Sequence, residues 1–196
     1  DENVRVELGK STRDAGESSF LALDRACSDL QNGFIDVLIT APINKDNIQS
    51  ENFNFPGHTE FLAEAFNAED YAMLMVSETL KIGVVTTHLP LSRVAENITK
   101  EAVLSKIRII AKSLQQDFSI TKPRIAVFGL NPHAGDNGLL GDEEKEFIIP
   151  AINQAQKEGI IALGPYPADG FFGAEDYRKF DAILAMYHDQ GLIPFK

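Results

Sequence analysis

Short apolar runs alternate with longer segments of helical period along the 196-residue chain. Between residues 18 and 31, apolar side chains recur at spacings of three and four, which predicts an amphipathic helix that ends before Gly33. A helical turn is also predicted to follow His58. Residues 35–40 (IDVLIT) form a continuous apolar run, typical of a strand buried on both faces. Residues 4–8 are a further candidate strand.

The remainder of the chain continues the same alternation. Strands are predicted at residues 72–77, 81–87, 124–129, 160–163 and 182–186. The tight connection between the first two indicates one antiparallel pair. A helix is predicted to begin after an N-cap at Thr99, and another spans residues 143–157, where Pro150 predicts a kink or a late start. This order predicts an α/β architecture with a mostly parallel sheet. The acidic run 142–146 is interpreted as a solvated helix start.

Composition narrows the class of protein. The chain is 44% hydrophobic and 24% charged, with a net charge of −11. The hydrophobic and charged fractions favour a globular protein. The acidic net charge argues against a nucleic-acid or membrane partner, because such partners attract clustered basic residues. Cys27 is the only cysteine, which excludes a disulfide framework and favours the reducing cytoplasm. Because the chain starts without Met and stops after an apolar stretch, we expect it to be part of a longer protein.

Three of the four histidines follow predicted strands. His88 follows GVVTT, His133 comes shortly after IAVFG, and His188 follows AILAMY. Ligands of open α/β sheets bind at the carboxyl ends of the strands, so these side chains are candidates for one site. Three imidazoles suit Zn²⁺ or another divalent metal. The alternative is that each histidine bonds a loop carbonyl, and placement alone leaves both interpretations open.

A second theme is anion binding. His58 and Thr59 open a predicted helix, whose free amides and positive dipole end favour a phosphate, although Thr59 as a simple N-cap is the alternative. Lys45 and Lys196 are candidate charge partners. The glycine-rich run 131–141 matches neither the dinucleotide fingerprint nor the phosphate loop.

Two aspartates are the acidic candidates. Asp189 adjoins His188, and Asp169 lies in GPYPADG. Either residue is suited to orient a histidine or to bind a substrate cation. Asp169 is equally suited to a turn before Gly170.

Several long motifs resemble the 4-hydroxythreonine-4-phosphate dehydrogenase family. They are TAPINK (40–45), GHTEFLAE (57–64), VTTHLPL (85–91), GLNPHAGDNGLLGDEE (129–144), GPYPADGFF (164–172) and LAMYHDQGLIPFK (184–196). They occur in the family's order and cover most of the chain. Residues 136–137 and 139–140 depart from the family pattern, which is more glycine-rich and less apolar there.

The resemblance implies an isocitrate/isopropylmalate dehydrogenase-like fold with two α/β domains and a cleft between them, incomplete here at both ends. Residues 1–51 are then part of a discontinuous flanking domain, and residues 52–196 are most of the central domain. It implies a homodimer whose active sites are shared between subunits. The implied metal ligands are His88, His133 and His188, and the cation is Zn, Mg or Co.

The implied reaction is the oxidation of 4-phosphooxy-L-threonine with NAD or NADP. Decarboxylation then yields 3-amino-2-oxopropyl phosphate for vitamin B6 biosynthesis. The implied contacts to this phosphorylated amino acid are His58, Thr59 and Lys196, and Asp169 and Asp189 match acidic residues that support catalysis. The residues that bind the nicotinamide stay unassigned.

Three alternatives remain open. One is a related dehydrogenase for 4-phosphothreonate, phosphoerythronate or a cyclic diol. Another is a zinc hydrolase, in which three histidines activate water. The third is a non-catalytic phosphate-binding module.

Overall fold

The structure of the protein is a computed structural model that describes residues 8–196. The candidate strand at residues 4–8 therefore lies, except for its last residue, outside the described part. The described residues form two compact units, which divide between Glu69 and Asp70. The domain limits 1–51 and 52–196 concern the whole protein and stay a prediction.

In the first unit, helix α1 (Arg13–Gln31) and helix α2 (His58–Ala65) confirm the two predicted helical segments. Helix α1 begins earlier than predicted because the Thr12 hydroxyl accepts a hydrogen bond from the Ala15 amide at 3.3 Å. The core of this unit is a small apolar cluster of Leu23, Cys27, Ile48, Phe53 and Phe61. Burial raises the pKa of the Cys27 thiol, and nearby Asp24 adds to this shift.

The strand predicted at residues 35–40 is wrong. This segment has no regular secondary structure, and Ile39 is 91% exposed. A strand needs a neighbour that shares its backbone hydrogen bonds, and residues 8–69 contain no strand. The apolar run therefore has no ladder partner within the described part of the first unit.

The second unit is built on a mixed sheet. In the described residues its strands are β1 (Leu74–Val76), β2 (Lys81–Val84), β3 (Arg124–Phe128), β4 (Ile161–Tyr166) and β5 (Ala182–Ala185). Their order is β1-β2-β5-β3-β4. The β1–β2 pair is antiparallel and the other pairs are parallel, which confirms both predictions about the sheet.

The helices of this unit cover the sheet. They are α3 (Val94–Asn97), α4 (Lys100–Gln116), α5 (Ile149–Lys157), α6 (Ala168–Gly173) and α7 (His188–Phe195), with 3₁₀ turns at Leu91–Arg93 and Asp176–Lys179. Residues Pro132–Gly138 form a further turn, whose backbone is left-handed at residues 133–137. A π-helical turn, Glu144–Ile148, leads into α5. The late start of this α-helix agrees with the prediction, because Pro150 has no amide to donate. No helix among residues 8–196 is both long and apolar enough to span a bilayer.

The core lies on both faces of this sheet. Side chains of α4 and α5 pack on one face, and those of α6 and α7 pack on the other. The Thr99 hydroxyl caps α4 by accepting the Ala102 amide at 3.1 Å, as predicted. Helix α7 approaches the sheet so closely that a Cβ on Gly191 would lie 2.9 Å from Val84 Cγ1. This contact places the start of α7 beside the carboxyl ends of β2 and β5.

Candidate active site

Two of the candidate metal ligands are neighbours in space. His88 follows β2 and His188 follows β5, and these strands are adjacent and parallel. The two imidazole centroids lie 5.8 Å apart, with the ring planes inclined by 44°. The carboxyl ends of β2 and β5 therefore hold two imidazole rings side by side, and each ring has a nitrogen that can bind a metal ion.

The backbone beneath this pair is held by a buried threonine. Thr86 donates its hydroxyl to the carbonyl of Met186 at 2.9 Å, and its amide donates to the same oxygen at 3.1 Å. Both residues are buried. The hydrogen bonds of the sheet thus continue past the strand ends toward the two histidines.

Asp189 defines the orientation of its neighbour. Its Oδ1 lies 2.7 Å from Nδ1 of His188. A carboxylate at this distance favours a proton on Nδ1, and in the neutral imidazole Nε2 then carries the free lone pair. Nε2 is therefore the nitrogen of His188 that is available to bind a metal ion.

His133 lies in a loop with a left-handed backbone. The φ angles of residues 133–137 are all positive, and His133 itself has φ 54° and ψ 28°. Aspartate, asparagine and histidine adopt this region more readily than other non-glycine residues, whereas for Ala134 it costs about 1–2 kcal/mol. Such strain persists only where surrounding contacts enforce it.

Glu144 holds Asn131, two residues before this left-handed run. Its Oε1 accepts the Asn131 amide at 2.8 Å, and its Oε2 accepts Asn131 Nδ2 at 3.0 Å. Glu144 is only 2% exposed, so the prediction of a fully solvated acidic run at residues 142–146 is wrong here. The sequence does contain a signal of this burial: Glu144 precedes Ile148 by four positions, which is the spacing of residues on one helix face, and Ile148 is buried.

The described residues do not bring all three candidate metal ligands together. Among residues 8–196, no group of three or more histidine, cysteine, aspartate or glutamate side chains is placed to hold a metal ion. His88 and His188 fit as two imidazole ligands, and His133 does not complete a group of three with them. A bound cation therefore requires a further ligand from outside this pair.

The histidine pair borders an apolar-rimmed cavity of about 510 Å³. Its lining includes Leu91 and Ile193 as well as both histidines and Asp189. Leu91 is 72% exposed and Ile193 is 75% exposed. Exposed aliphatic side chains that border polar groups are typical of a surface that another molecule covers.

In the first unit, α2 has an uncapped start. Gly57 at the N-cap has no side chain to bond the free amides of the first turn, which begins with His58 and Thr59. A Cβ built on Gly57 would lie 3.9 Å from Nζ of Lys45. Free amides and a nearby ammonium group suit an anion.

The other predicted site residues belong to the second unit. Asp169 is exposed in the first turn of α6, and Lys196 is exposed at the C-cap of α7. One residue that the sequence did not single out is Gln190, on the first turn of α7. Its side chain bonds both Met186 and Gly129.

The whole chain is similar to proteins of one known family. The family model described as "Pyridoxal phosphate biosynthetic protein PdxA" matches residues 1–196. A curated 4-hydroxythreonine-4-phosphate dehydrogenase of Bacteroides thetaiotaomicron is 52% identical over 197 residues, which are 100% of this chain and 54% of that protein. The chain thus spans about half the length of this curated relative.

Solved structures show the same similarity. The crystal structure of 4-hydroxythreonine-4-phosphate dehydrogenase from Klebsiella pneumoniae matches with a TM-score of 0.89 and 35% identity, over 97% of this chain and 58% of that one. A terephthalate 1,2-cis-dihydrodiol dehydrogenase from Burkholderia xenovorans matches with a TM-score of 0.74 and 28% identity. The latter match covers 99% of this chain and 61% of that one.

Proposed function

Because the chain belongs to the family of pyridoxal phosphate biosynthetic protein PdxA, we propose that the full-length protein is an oxidoreductase that acts on 4-phosphooxy-L-threonine. Its fold is of the isocitrate/isopropylmalate dehydrogenase-like class, as predicted. The proposed product, after oxidation and decarboxylation, is 3-amino-2-oxopropyl phosphate, a precursor in vitamin B6 biosynthesis.

The observation that carries this proposal is the pair of His88 and His188, whose ring centroids lie 5.8 Å apart at the ends of adjacent parallel strands. Two imidazoles suit Zn or Co, whereas Mg, the third cation that the resemblance implies, prefers oxygen ligands. We propose His133 as the third ligand, contributed by a second copy of the chain, since it does not complete a group of three with this pair among residues 8–196. Its left-handed loop is strained in the way that functional loops often are.

The chemistry divides between bound groups and side chains. When bound, the cation supplies a Lewis acid for the alcohol oxygen, and NAD or NADP accepts the hydride. Asp189 holds His188 by accepting a hydrogen bond from its Nδ1. Asp169 is proposed to take part in proton transfer, since it is an exposed carboxylate in the first turn of α6.

The phosphate contacts rest on the start of α2. His58 and Thr59 are proposed to bind the phosphate through the free amides of the first turn and through their side chains. Lys45, near Gly57, adds a positive charge to that turn. Lys196 is proposed as a further contact to the phosphorylated substrate. Binding the remote phosphate uses binding energy to orient the reacting carbon.

A homodimer and a cytoplasmic location complete the proposal. Leu91 and Ile193 expose aliphatic surface beside the histidine pair, and a second copy of the chain would bury it. The shared interface would then supply the ligand that the pair lacks. The lone cysteine supports a reducing compartment. The net charge of −11 argues against nucleic acid as a partner.

A substrate panel tests this function. The full-length protein is mixed with NAD⁺ or NADP⁺ and with 4-phosphooxy-L-threonine, 4-phosphothreonate, phosphoerythronate or a cyclic cis-diol, and absorbance at 340 nm is followed. The proposal predicts the highest kcat/KM with 4-phosphooxy-L-threonine. Reduction with another member of the panel alone would identify a related dehydrogenase, and the similarity to the dihydrodiol dehydrogenase makes the cyclic diol the second candidate.

The same panel addresses the other two alternatives. A zinc hydrolase would consume a substrate without forming reduced nicotinamide. A phosphate-binding module would bind the phosphorylated compounds without turnover, and a chelator would not change their affinity.

A further inference from the structure

Gln190 makes two hydrogen bonds that connect two strand ends. Its Oε1 accepts the amide of Met186 at 2.7 Å, and its Nε2 donates to the carbonyl of Gly129 at 2.8 Å. Met186 directly follows β5, and Gly129 directly follows β3. One side-chain amide therefore spans these neighbouring parallel strands where their ladder has ended.

These bonds satisfy backbone groups that are otherwise shielded from water. Met186 and Gly129 are buried. An unpaired buried amide or carbonyl costs about 1–3 kcal/mol, so the orientation of Gln190 is strongly defined. The carbonyl of Met186 is meanwhile held by Thr86. Both polar backbone groups of Met186 are thus bonded to partners outside the strand.

His188 lies inside the turn that these bonds close. The Met186 amide and the Gln190 side chain bracket Tyr187, His188 and Asp189. With Met186 fixed on one side and Gln190 anchored to β3 on the other, little freedom remains for the backbone that carries the imidazole. Restricting a ligand before the metal arrives lowers the entropic cost of binding.

We infer that Gln190 is a positioning residue for the metal site: its amide fixes the turn that presents His188 to the cation. This inference rests on the proposed function, because it assumes that His188 is a ligand. Gln190 itself touches neither the imidazole of His188 nor the carboxylate of Asp189 by any described hydrogen bond, so it acts through the backbone.

Gln156 provides a matched control in the same unit. Its Nε2 donates to the carbonyl of Ala162 at 2.8 Å, a bond of the same type and length between α5 and β4. Gln156→Met and Gln190→Met both keep the side-chain volume and remove the amide. A purely structural role for Gln190 predicts that the two substitutions affect metal binding equally.

The probe is Co²⁺ alone, added to the metal-free full-length protein. Its affinity is measured by competition with a chelator, the ligand geometry by the visible absorption spectrum, and the stability of the metal-free protein by thermal unfolding. We expect Gln190→Met to weaken Co²⁺ binding by about tenfold to a hundredfold and to alter the spectrum. Gln156→Met should keep the parental affinity and spectrum even where its unfolding temperature falls.

Gln190→Glu separates the two bonds and provides a second variant if Gln190→Met folds poorly. The carboxylate still accepts the Met186 amide but has no proton to donate to Gly129, so Co²⁺ affinity should fall in this variant as well. Parental affinity and spectrum in the Gln190 variants would overturn the inference.

His188→Ala separates this outcome from a failure of the proposed function. If His188→Ala binds Co²⁺ as the parent does, then His188 is not a ligand, and the metal site and the inference about Gln190 are both wrong. If only His188→Ala loses Co²⁺ while the Gln190 variants retain it, the metal site stands and Gln190 is structural.

Discussion

Thr86 donates its hydroxyl to the carbonyl of Met186, a residue 100 positions later in the chain, at 2.9 Å. Each of these residues precedes a histidine of the candidate site by two positions. The distance between the backbone positions of His88 and His188 is therefore defined by buried hydrogen bonds at the ends of β2 and β5. The pair is a consequence of sheet geometry and does not depend on contacts between the rings.

Replacing Thr86 tests this connection. Thr86→Val keeps the shape of the side chain and removes the hydroxyl, while the backbone amide still donates to Met186. We expect the free energy of unfolding to fall by about 1 kcal/mol, measured by urea denaturation of the full-length protein. Thr86→Ser retains the donor and should restore most of this loss. Equal stability of Thr86→Val and the parent would show that the hydroxyl contributes nothing.

Glu144 should be required for the left-handed loop. Glu144→Ala leaves the backbone amide of Asn131 without its acceptor, while Asn131 Nδ2 keeps its hydrogen bond to Glu143 at 2.7 Å, and we expect a loss of about 1–3 kcal/mol in the free energy of unfolding. Limited proteolysis should also cleave residues 131–141 faster. Glu146→Ala, in the same turn but exposed, is the control and should change little. A loop that resists protease equally in both variants would contradict this role.

The ion pair between Arg108 and Glu158 predicts a specific pH dependence. Two hydrogen bonds from Arg108, at 2.8 and 2.6 Å, together with one from Gln154, lower the pKa of Glu158 to about 2. Because the folded-state pKa is depressed, the stabilisation is present above the unfolded pKa of about 4.3 and is lost as the pH falls through about 2.

In Glu158→Gln, the free energy of unfolding should therefore fall less steeply than in the parent between about pH 4.5 and pH 2, as measured by chemical denaturation across that range. Glu78→Gln, which changes an exposed carboxylate in the turn between β1 and β2, is the control. A Glu158→Gln curve parallel to that of the parent would rule out this linkage.

The start of α2 should act on substrate binding. Thr59→Ala removes one proposed donor to the phosphate, and hydrogen bonds to charged groups contribute about 1.5–3 kcal/mol. We expect KM for 4-phosphooxy-L-threonine to rise about tenfold or more with kcat retained, measured by initial rates at 340 nm. Thr59→Ser should recover most of the affinity. A fall in kcat at unchanged KM would place Thr59 in the chemical step instead.

The sequence predicts the second unit better than the first. The apolar runs of β3 and β5 are strands because other strands lie on both sides of each. Residues 35–40 have the same pattern, yet no strand lies beside them in the described part of their unit. Hydrophobic pattern reports a tendency to be buried and carries no information about which segment provides the hydrogen-bonding partner.

For the candidate site, the sequence placed the histidines at strand ends but not the residues that hold them. Glu144 bonds Asn131, 13 positions away, and Gln190 bonds Gly129, 61 positions away. An acidic run at a helix start resembles a solvated surface, and the motif that contains Gln190 gives this glutamine no assigned role. Only the folded chain shows that each side chain meets a backbone group at the end of β3.

The most direct test of the metal-assisted oxidation is NAD(P)⁺ reduction by the full-length protein before and after removal of the metal. With 4-phosphooxy-L-threonine as substrate, absorbance at 340 nm should rise, stop after chelation and recover when Zn²⁺ or Co²⁺ is restored. In His88→Ala, His133→Ala and His188→Ala, metal content and turnover should be lost together. A chelated, metal-free protein that still reduces the nicotinamide at the parental rate would contradict the account.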